Sequence, residues 1–269
     1  MAMEAVMILF DAHVHLWPAF TAGRLLQAAR DNFLHHLPPS SPPTMALLLA
    51  DTGKAEGFAL LGAMADRGEV AGNFRLLRTE EDETLLAVDP KRPEERLFLF
   101  AGRQIVTSEN IEVLSLASTA AIDDGLPLED TVALVKERGG LAVLPWGVGK
   151  WLGTRGRTIA AFLADAQPQG LFVGDIGGRP RLWPPSRIFD QAAERGIALL
   201  PGSDPLPLPG EELRVGSCGA SLAGSCTGER PAALLRRLLC SQGLTATSFA
   251  ARPNILSFVA TQLALRLKK

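Results

Sequence analysis

The chain has 269 residues, of which 47% are hydrophobic and 21% are charged, so it can bury a large core and is not a disordered chain. Its 27 lysines and arginines nearly balance its 29 aspartates and glutamates, which gives no overall field to gather nucleic acid or an anionic membrane. The apolar run 6–10 is too short to span a membrane and lacks the pattern of a secretory signal, so we expect a cytoplasmic protein with no nucleic-acid or membrane partner.

Short apolar runs alternate with amphipathic stretches along the whole chain. Continuous rather than alternating hydrophobicity suits strands that are covered on both faces, so the pattern predicts an α/β protein with a parallel sheet. The predicted strands are 7–10, 45–50, 97–101, 113–117, 141–144, 171–173 and 197–200. The predicted helices are 24–34, 56–67, 128–138, 158–166, 186–195, 231–240 and 254–267.

The length is ordinary for one closed α/β barrel, which commonly has about 250 residues. We therefore expect residues 1–269 to form a single domain. Residues 73–88 read as two strands around an acidic turn and predict a hairpin inserted outside the barrel. The proline-rich segments 37–43 and 201–209 predict loops.

The strongest motif is Asp11-Ala12-His13-Val14-His15, directly after an apolar run. Alternate residues of an extended chain share a face, so Asp11, His13 and His15 are expected to point to one side at a strand end. Two imidazoles and a carboxylate suit a divalent metal ion, and the carboxyl ends of barrel strands form the functional face. The alternative is chance spacing, with the histidines capping or packing.

Two aspartates follow other predicted strands. Asp204, in the segment LLPGSDP, is a candidate metal ligand or proton acceptor, although the same segment also favours a turn. Asp51, in LLLADTG, is a candidate ligand or acid next to the site, or a helix cap.

Several other polar residues are weaker candidates. Lys150, in a glycine-bracketed loop, is a candidate to neutralise an anionic substrate or is simply a solvated surface lysine. Asp175, at a strand end, is a candidate to move protons or to begin a turn. His35 and His36 are expected to interact with a helix end rather than with metal. Loop arginines offer weak phosphate-binding candidates at positions 155, 157, 179 and 181.

The motifs together resemble the PHP family, the polymerase and histidinol phosphatase type of metal-dependent phosphoesterase. The likeness covers most of the chain, and its segments are FDAHVHLW, LLLADTG, FLFAGRQIVTSENIEVLSLAS, DDGLPLEDTVALVKERGGLAVLPWG and AAERGIALLPGSDPLP. The resemblance implies a distorted (β/α)7-type, TIM-like barrel with a trinuclear metal centre that hydrolyses phosphate esters. His13, His15 and Asp204 match the family's ligands, and Asp51 matches the acid of its second motif.

The chain departs from the family pattern at several ligand positions. Thr52 and Glu112 stand where histidines are expected, Gln104 stands where the bridging glutamate is expected, and Pro145 or Trp146 replaces another histidine. An uncharged glutamine does not offset the repulsion between closely spaced ions, so we expect a reduced site with one ion. Its ligands are His13, His15 and Asp204, with Asp11, Asp51 and Glu112 as further candidates.

These observations support three hypotheses of function. The first is a divergent hydrolase with one zinc, manganese or iron ion, a small-molecule substrate that carries a phosphate ester, and Asp204, Asp175 and Lys150 as catalytic residues. The second is an inactive PHP-like barrel that holds no metal and binds a small molecule or a protein. The third is an amidohydrolase-like enzyme, since those barrels also open with an HxH motif.

Overall fold

A computed structural model describes residues 7–36, 44–224, 226–241 and 246–267, and the predicted loop 37–43 lies outside them. Within these ranges the fold is mixed α/β. The strands are β1 (Met7–Val14), β2 (Thr44–Leu49), β3 (Val70–Ala71), β4 (Phe74–Arg78), β5 (Thr84–Val88), β6 (Arg96–Phe100), β7 (Gly102–Val106), β8 (Glu112–Leu116), β9 (Leu141–Pro145), β10 (Leu171–Gly174), β11 (Ala198–Leu199), β12 (Cys218–Ala223) and β13 (Ala246–Ala250). The helices are α1 (Ala22–Leu34), α2 (Gly57–Asp66), α3 (Leu128–Glu137), α4 (Gly153–Asp165), α5 (Arg187–Glu194), α6 (Pro231–Leu239) and α7 (Ile255–Leu267), and residues 211–214 form a 3-10 helix.

The strands form two sheets. One has eight strands in the order β13-β12-β1-β2-β6-β5-β4-β3, and the other has five in the order β11-β10-β9-β8-β7. The prediction of a parallel sheet is right for β1 with β2, β2 with β6, β9 with β10 and β10 with β11. It is wrong for β8 with β9, which pair antiparallel. A continuous apolar run indicates that a strand is buried on both faces, but it does not indicate the direction of the strand relative to its neighbours.

Backbone hydrogen bonds join the two sheets at two places, each between a strand residue and a residue that follows a strand of the other sheet. On one side Ala12 donates to Pro201 and Asp204 donates to the His13 carbonyl, at 3.1 and 2.8 Å. On the other side Asp51 donates to the Gly102 carbonyl at 2.9 Å. Alternate side chains of both sheets meet between them in one buried apolar cluster that includes Phe10, Phe100, Leu116, Val143 and Phe172. The ends of β1 and the chain after β11 are therefore held together by the core beneath them.

The predicted hairpin is present as β4 and β5, which pair antiparallel. It does not stand apart from the sheet, because β5 also pairs with β6 and so extends the eight-stranded sheet. Its inward side chains Leu76, Leu85 and Ala87 are buried in a second apolar cluster, to which helices α1 and α2 also contribute. The hairpin thus contributes to the core rather than only to the surface.

The helices lie close to the predicted ranges, with the largest difference at α4. That helix begins at Gly153, five residues before the predicted start at Thr158. Three of its early residues are arginine, glycine and arginine, which hide an apolar pattern from sequence inspection. Among the described residues, no helix combines the length and apolarity that a membrane span requires.

Candidate metal centre

Strand β1 presents His13 and His15 at its carboxyl end. Both residues are only 3% exposed, and their Nε2 atoms are 3.0 Å apart. The pairing register of β1 with β2 shifts between Asp11 and Val14, so strict alternation of side chains does not hold through the motif. The two rings converge edge to face, with centroids 4.8 Å apart. The predicted convergence of the two imidazoles is therefore present in the structure.

The turn after β11 brings Asp204 to the two histidines. Its Oδ1 atom lies 3.6 Å from Nε2 of His13 and 3.6 Å from Nε2 of His15. Asp204 has a φ of 47°, a left-handed conformation that costs a residue with a side chain about 1 kcal/mol or more. Its backbone N–H donates to the carbonyl of His13, which fixes the conformation. The carboxylate is thus aimed by the backbone rather than by a flexible side chain.

Asp11 fastens this turn to strand β1. Its Oδ1 accepts the N–H of His13 at 3.2 Å and of Ser203 at 2.8 Å, and its Oδ2 accepts the N–H of Gly216 at 2.8 Å. Burial raises the pKa of Asp11 to about 6, while these N–H donors act in the opposite direction. The structure does not bring Asp11 into the ligand cluster, because both of its oxygens face backbone donors. Its place indicates a residue that positions His13 and the turn.

Trp17 supports the site from the side of His15. Its ring centroid is 4.9 Å from that of His15, and its Nε1 donates to the Pro205 carbonyl at 2.7 Å. One side chain therefore contacts a ligand ring and the turn that carries the third ligand. The sequence motif FDAHVHLW contains this tryptophan, but nothing in the pattern alone shows its contact with a turn 188 residues away.

The three ligand atoms fit a divalent ion. A triangle with sides of 3.0, 3.6 and 3.6 Å has its corners about 2.0 Å from a common centre, which is the usual zinc–nitrogen and zinc–oxygen distance. No other group of three or more histidines, cysteines or acids meets the same spacing within the described ranges. Two imidazoles and one carboxylate also match the ligand set of hydrolytic zinc sites, which leave a further position open.

Electrostatics favour the protonation states that bind a metal. Burial, together with the neighbouring His13, lowers the pKa of His15 to about 3, so this ring is neutral at physiological pH. Burial acts to raise the pKa of Asp204, but His13, His15, Lys150 and Arg214 together outweigh it, and the pKa lies below its usual value. Asp204 is therefore an anion next to the neutral ring of His15.

A cavity of about 160 Å³ opens beside Asp204. Its polar wall includes the cations Lys150 and Arg214, and its apolar wall includes Ile176 and Leu206. The Arg214 guanidinium also donates to the Gly177 carbonyl at 2.7 Å, which holds it near the opening. Water or a small anionic molecule in this cavity reaches the exposed side of the Asp204 carboxylate.

Glu112, a predicted ligand, lies outside the cluster and pairs with Lys150. The Lys150 Nζ atom is 2.7 and 2.5 Å from the two Glu112 oxygens. Strand β8 runs antiparallel to β9, so its first residue, Glu112, lies near the carboxyl end of β9, but its carboxylate is turned to the Lys150 ammonium group and not to the histidines. Lys150 itself lines the cavity, as its predicted role requires, with Glu112 holding its ammonium group.

Asp175, a predicted catalytic acid, is engaged in two ion pairs. Its carboxylate contacts Arg179 at 2.7 Å and Arg252 at 2.6 Å. Burial acts to raise its pKa, but the two guanidinium groups outweigh that effect and the pKa lies below its usual value. A carboxylate held as an anion by two arginines connects the segment after β10 with the segment before α7. Arg179 is thus committed to Asp175, and of the other loop arginines Arg155 bonds backbone carbonyls.

Asp51, the other predicted ligand, caps helix α2. Its oxygens accept the N–H groups of Gly57 and Phe58 at 2.8 and 3.0 Å. Of the two roles that the sequence left open for Asp51, the structure therefore shows the helix cap. Asp51 lies outside the three-residue cluster because its carboxylate is turned toward the start of α2. Burial raises its pKa to about 6 against the effect of these N–H donors.

The raised pKa of Asp51 predicts a pH-dependent stability difference. The folded pKa of about 6 exceeds the unfolded value of 3.8, so the contribution of Asp51 is fully present below pH 3.8 and is lost as pH rises through 6. Wild type should therefore lose about 1 to 3 kcal/mol relative to Asp51→Asn between pH 4 and pH 7, measured by urea unfolding. Asp66→Asn is the control, because Arg78 lowers the pKa of Asp66 and its difference should run in the opposite direction. A flat difference for Asp51→Asn would contradict this account.

The structure adds residues that the sequence did not single out. Arg214 lines the cavity from the 3-10 helix, and Phe258 and Gln262 line it from helix α7. Arg214 lies in an ordinary charged segment, and α7 reads as a peripheral helix, so neither carries a sequence signal for a site. The two predicted histidines elsewhere, His35 and His36, contact the Asp31 carbonyl and the Phe249 ring and lie away from the cluster.

Comparison with known proteins identifies relatives by fold and not by sequence. No protein-family model matches the chain, and no curated protein matches its sequence. PsfC from Pseudomonas syringae PB-5123 matches 98% of this chain and 99% of its own at a TM-score of 0.59 and 14% identity. The lesion-specific endonuclease PfuEndoQ from Pyrococcus furiosus matches 90% of this chain but only 58% of its own, at a TM-score of 0.54 and 12% identity. Endonuclease Q in complex with a 27-mer duplex that has an abasic lesion at the active site matches 96% of this chain and 67% of its own, at a TM-score of 0.51 and 11% identity. The chain therefore shares its fold with PsfC and endonuclease Q, which is consistent with the PHP-like architecture that the motifs predicted.

Proposed function

We propose that this chain is a divergent PHP-like hydrolase that uses one divalent ion, held by His13, His15 and Asp204, to cleave a phosphate ester of a small molecule. The observation that carries the proposal is the triangle of three buried or nearly buried ligand atoms, each about 2.0 Å from one common centre, which is the usual zinc–ligand distance. Its position at the carboxyl end of β1 is the functional end of strands in α/β folds. Backbone hydrogen bonds join the two sheets at two places, which supports the proposal of a single domain with a distorted, TIM-like barrel architecture.

The residues around the cavity have different roles in the proposed hydrolysis. When bound, a divalent ion polarises a phosphoryl oxygen and lowers the pKa of water. Asp204 lies between the ligand cluster and the cavity, so its carboxylate both holds the ion and accepts a proton from an attacking water. Lys150 and Arg214 offset the negative charge of the phosphate, and Arg214 does so with a guanidinium already held by the Gly177 carbonyl. Asp11 keeps the ligands in place through backbone N–H groups.

The charge of the chain and the size of the cavity favour a small-molecule substrate over a nucleic acid. The chain has a formal net charge of -2, whereas a surface that tracks a nucleic-acid backbone needs an excess of cations. The cavity of about 160 Å³ is below the size of pockets that take drug-sized ligands, and helix α7 contributes part of its wall. A duplex does not enter such a cavity without displacement of that helix.

Hydrolysis of a phosphate-ester panel tests the proposal. Purified protein is loaded with zinc, manganese or iron and assayed on phosphomonoesters, phosphodiesters and cyclic amides. We expect turnover of a phosphate ester, reduced at least about a hundredfold in Asp204→Asn, because that variant loses one anionic ligand and the proton acceptor. Asp66→Asn is the matched control, since Asp66 is exposed and pairs with Arg78 away from the site. Turnover of cyclic amides alone would favour the amidohydrolase hypothesis, and no turnover with any metal would favour the binding module.

A further inference from the structure

We propose that helix α7 is the specificity wall of the site, and that the substrate is a small phosphate monoester with an apolar group seated against Phe258 and Leu265. This inference rests on the proposed function and names the substrate class. The cavity beside Asp204 has cations on one side and this helix on another. A ligand with a phosphate at one end and an apolar group at the other matches both walls.

The sequence of α7 separates into an inner and an outer face. Phe258, Thr261, Gln262 and Leu265 have helical spacing on one face, are partly covered, and line the cavity. On the outer face Leu256 is 79% exposed and Leu263 is 55% exposed. The inner face therefore contacts the interior of the cavity, although no residue of α7 is fully buried by the rest of the described chain.

The start of α7 is anchored next to the site. Arg252 pairs with Asp175 at 2.6 Å, and the N–H of Arg181 donates to the Pro253 carbonyl at 3.0 Å. The Phe258 ring also meets the Trp183 ring edge to face at 5.7 Å between centroids. These contacts fix where Phe258 enters the cavity wall. The role that remains for Asp175 is to position this helix.

The two walls differ in chemistry. Lys150 and Arg214 attract an anion beside Asp204, whereas Phe258 and Leu265 offer apolar surface with no charge. Removal of apolar ligand surface from water stabilises binding in proportion to the area covered. A phosphate ester with a bare methyl group leaves that wall in contact with water. A ligand with a ring or a short branched chain covers it, so the wall selects for size and apolarity.

Binding of two non-hydrolysable phosphonates tests the inference in the full-length, metal-loaded protein. Calorimetry compares phenylphosphonate with methylphosphonate, and hydrolysis assays compare phenyl phosphate with methyl phosphate. We expect wild type to bind phenylphosphonate at least about tenfold more tightly. Phe258→Ala and Leu265→Ala should each remove most of this preference, because they weaken phenylphosphonate binding much more than methylphosphonate binding. Leu256→Ala on the outer face is the matched control and should leave both affinities unchanged.

The outcomes separate this inference from the proposed function. Equal binding of the two phosphonates by wild type, with phosphate esters still hydrolysed, would overturn the role of α7 and leave the hydrolase in place. A preference for phenylphosphonate that survives in both inner-face variants, or that disappears equally in Leu256→Ala, would also overturn it. If neither phosphonate binds and no phosphate ester of the panel is hydrolysed, the phosphoesterase proposal itself fails, and this inference fails with it.

Discussion

The double variant His13→Ala/His15→Ala should retain no bound divalent ion, whereas wild type should carry about one per chain. The reason is geometric, since both Nε2 atoms and the Asp204 oxygen lie about 2.0 Å from a common centre and two of the three ligands disappear. Metal analysis of purified, zinc-equilibrated protein measures the loss directly. Phosphate-ester hydrolysis should fall at least about a thousandfold in parallel, because the ion supplies the chemistry that side chains at this site lack.

A second pair of histidines supplies the control for this experiment. His35 is exposed and its ring contacts the Asp31 carbonyl, so His35→Ala removes an imidazole without touching the cluster. Metal content and hydrolysis should match wild type in this variant. A double variant that keeps its ion would show that the metal binds elsewhere, and it would contradict the proposal that His13, His15 and Asp204 hold the ion. Loss of both buried rings also leaves a void, so circular dichroism must confirm that the fold is intact.

Gly202→Ala should destabilise the protein by about 3 kcal/mol or more and should disrupt metal binding at the same time. A Cβ atom at position 202 would lie 2.6 Å from the Cβ of His13 and would also overlap the His13 backbone nitrogen. Backbone does not move aside as a flexible side chain does, so the turn that carries Asp204 must separate from β1. Urea unfolding measures the free-energy change, and metal analysis measures the site.

Gly53 gives a matched glycine control. An added Cβ at this position meets no atom within 4 Å, so Gly53→Ala should change the free energy of unfolding by less than about 0.5 kcal/mol. If Gly202→Ala were as stable as Gly53→Ala and bound metal normally, the close approach of the turn to β1 would not be needed for the site. The comparison separates the effect of a tight contact from the general effect of replacing a glycine.

The three residues of the candidate metal centre could be predicted from the sequence, because each of them lies at the end of a predicted strand. His13 and His15 lie two residues apart at the end of an apolar strand, and Asp204 follows the last predicted strand. Strand ends in α/β folds collect at one edge, which is enough to predict that these residues meet. The roles of Asp11 and Asp51 were not decided by such rules. Each carboxylate is equally suited to a metal or to backbone N–H groups, and only the positions of distant donors distinguish the two.

The parts of the fold that were missed depend on partners far along the chain. Strands β12 and β13 read as small and polar segments, yet they pair antiparallel beside β1 and complete the edge of the larger sheet. Strand β7 is short and begins directly after β6, so the apolar pattern does not divide the two. Helix α7 was predicted as a helix, but its position over the cavity follows from the Arg252 to Asp175 contact, which no local pattern reveals.

The bonds that Asp11 makes to Ser203 and Gly216 span 192 and 205 positions of the chain. During synthesis the two imidazoles leave the ribosome well before the carboxylate that completes their ligand set. Contacts of such separation form late because the intervening chain must first become ordered. Metal acquisition is therefore expected to follow folding rather than to guide it, and a nascent chain that ends before residue 200 should have no affinity beyond that of two free imidazoles.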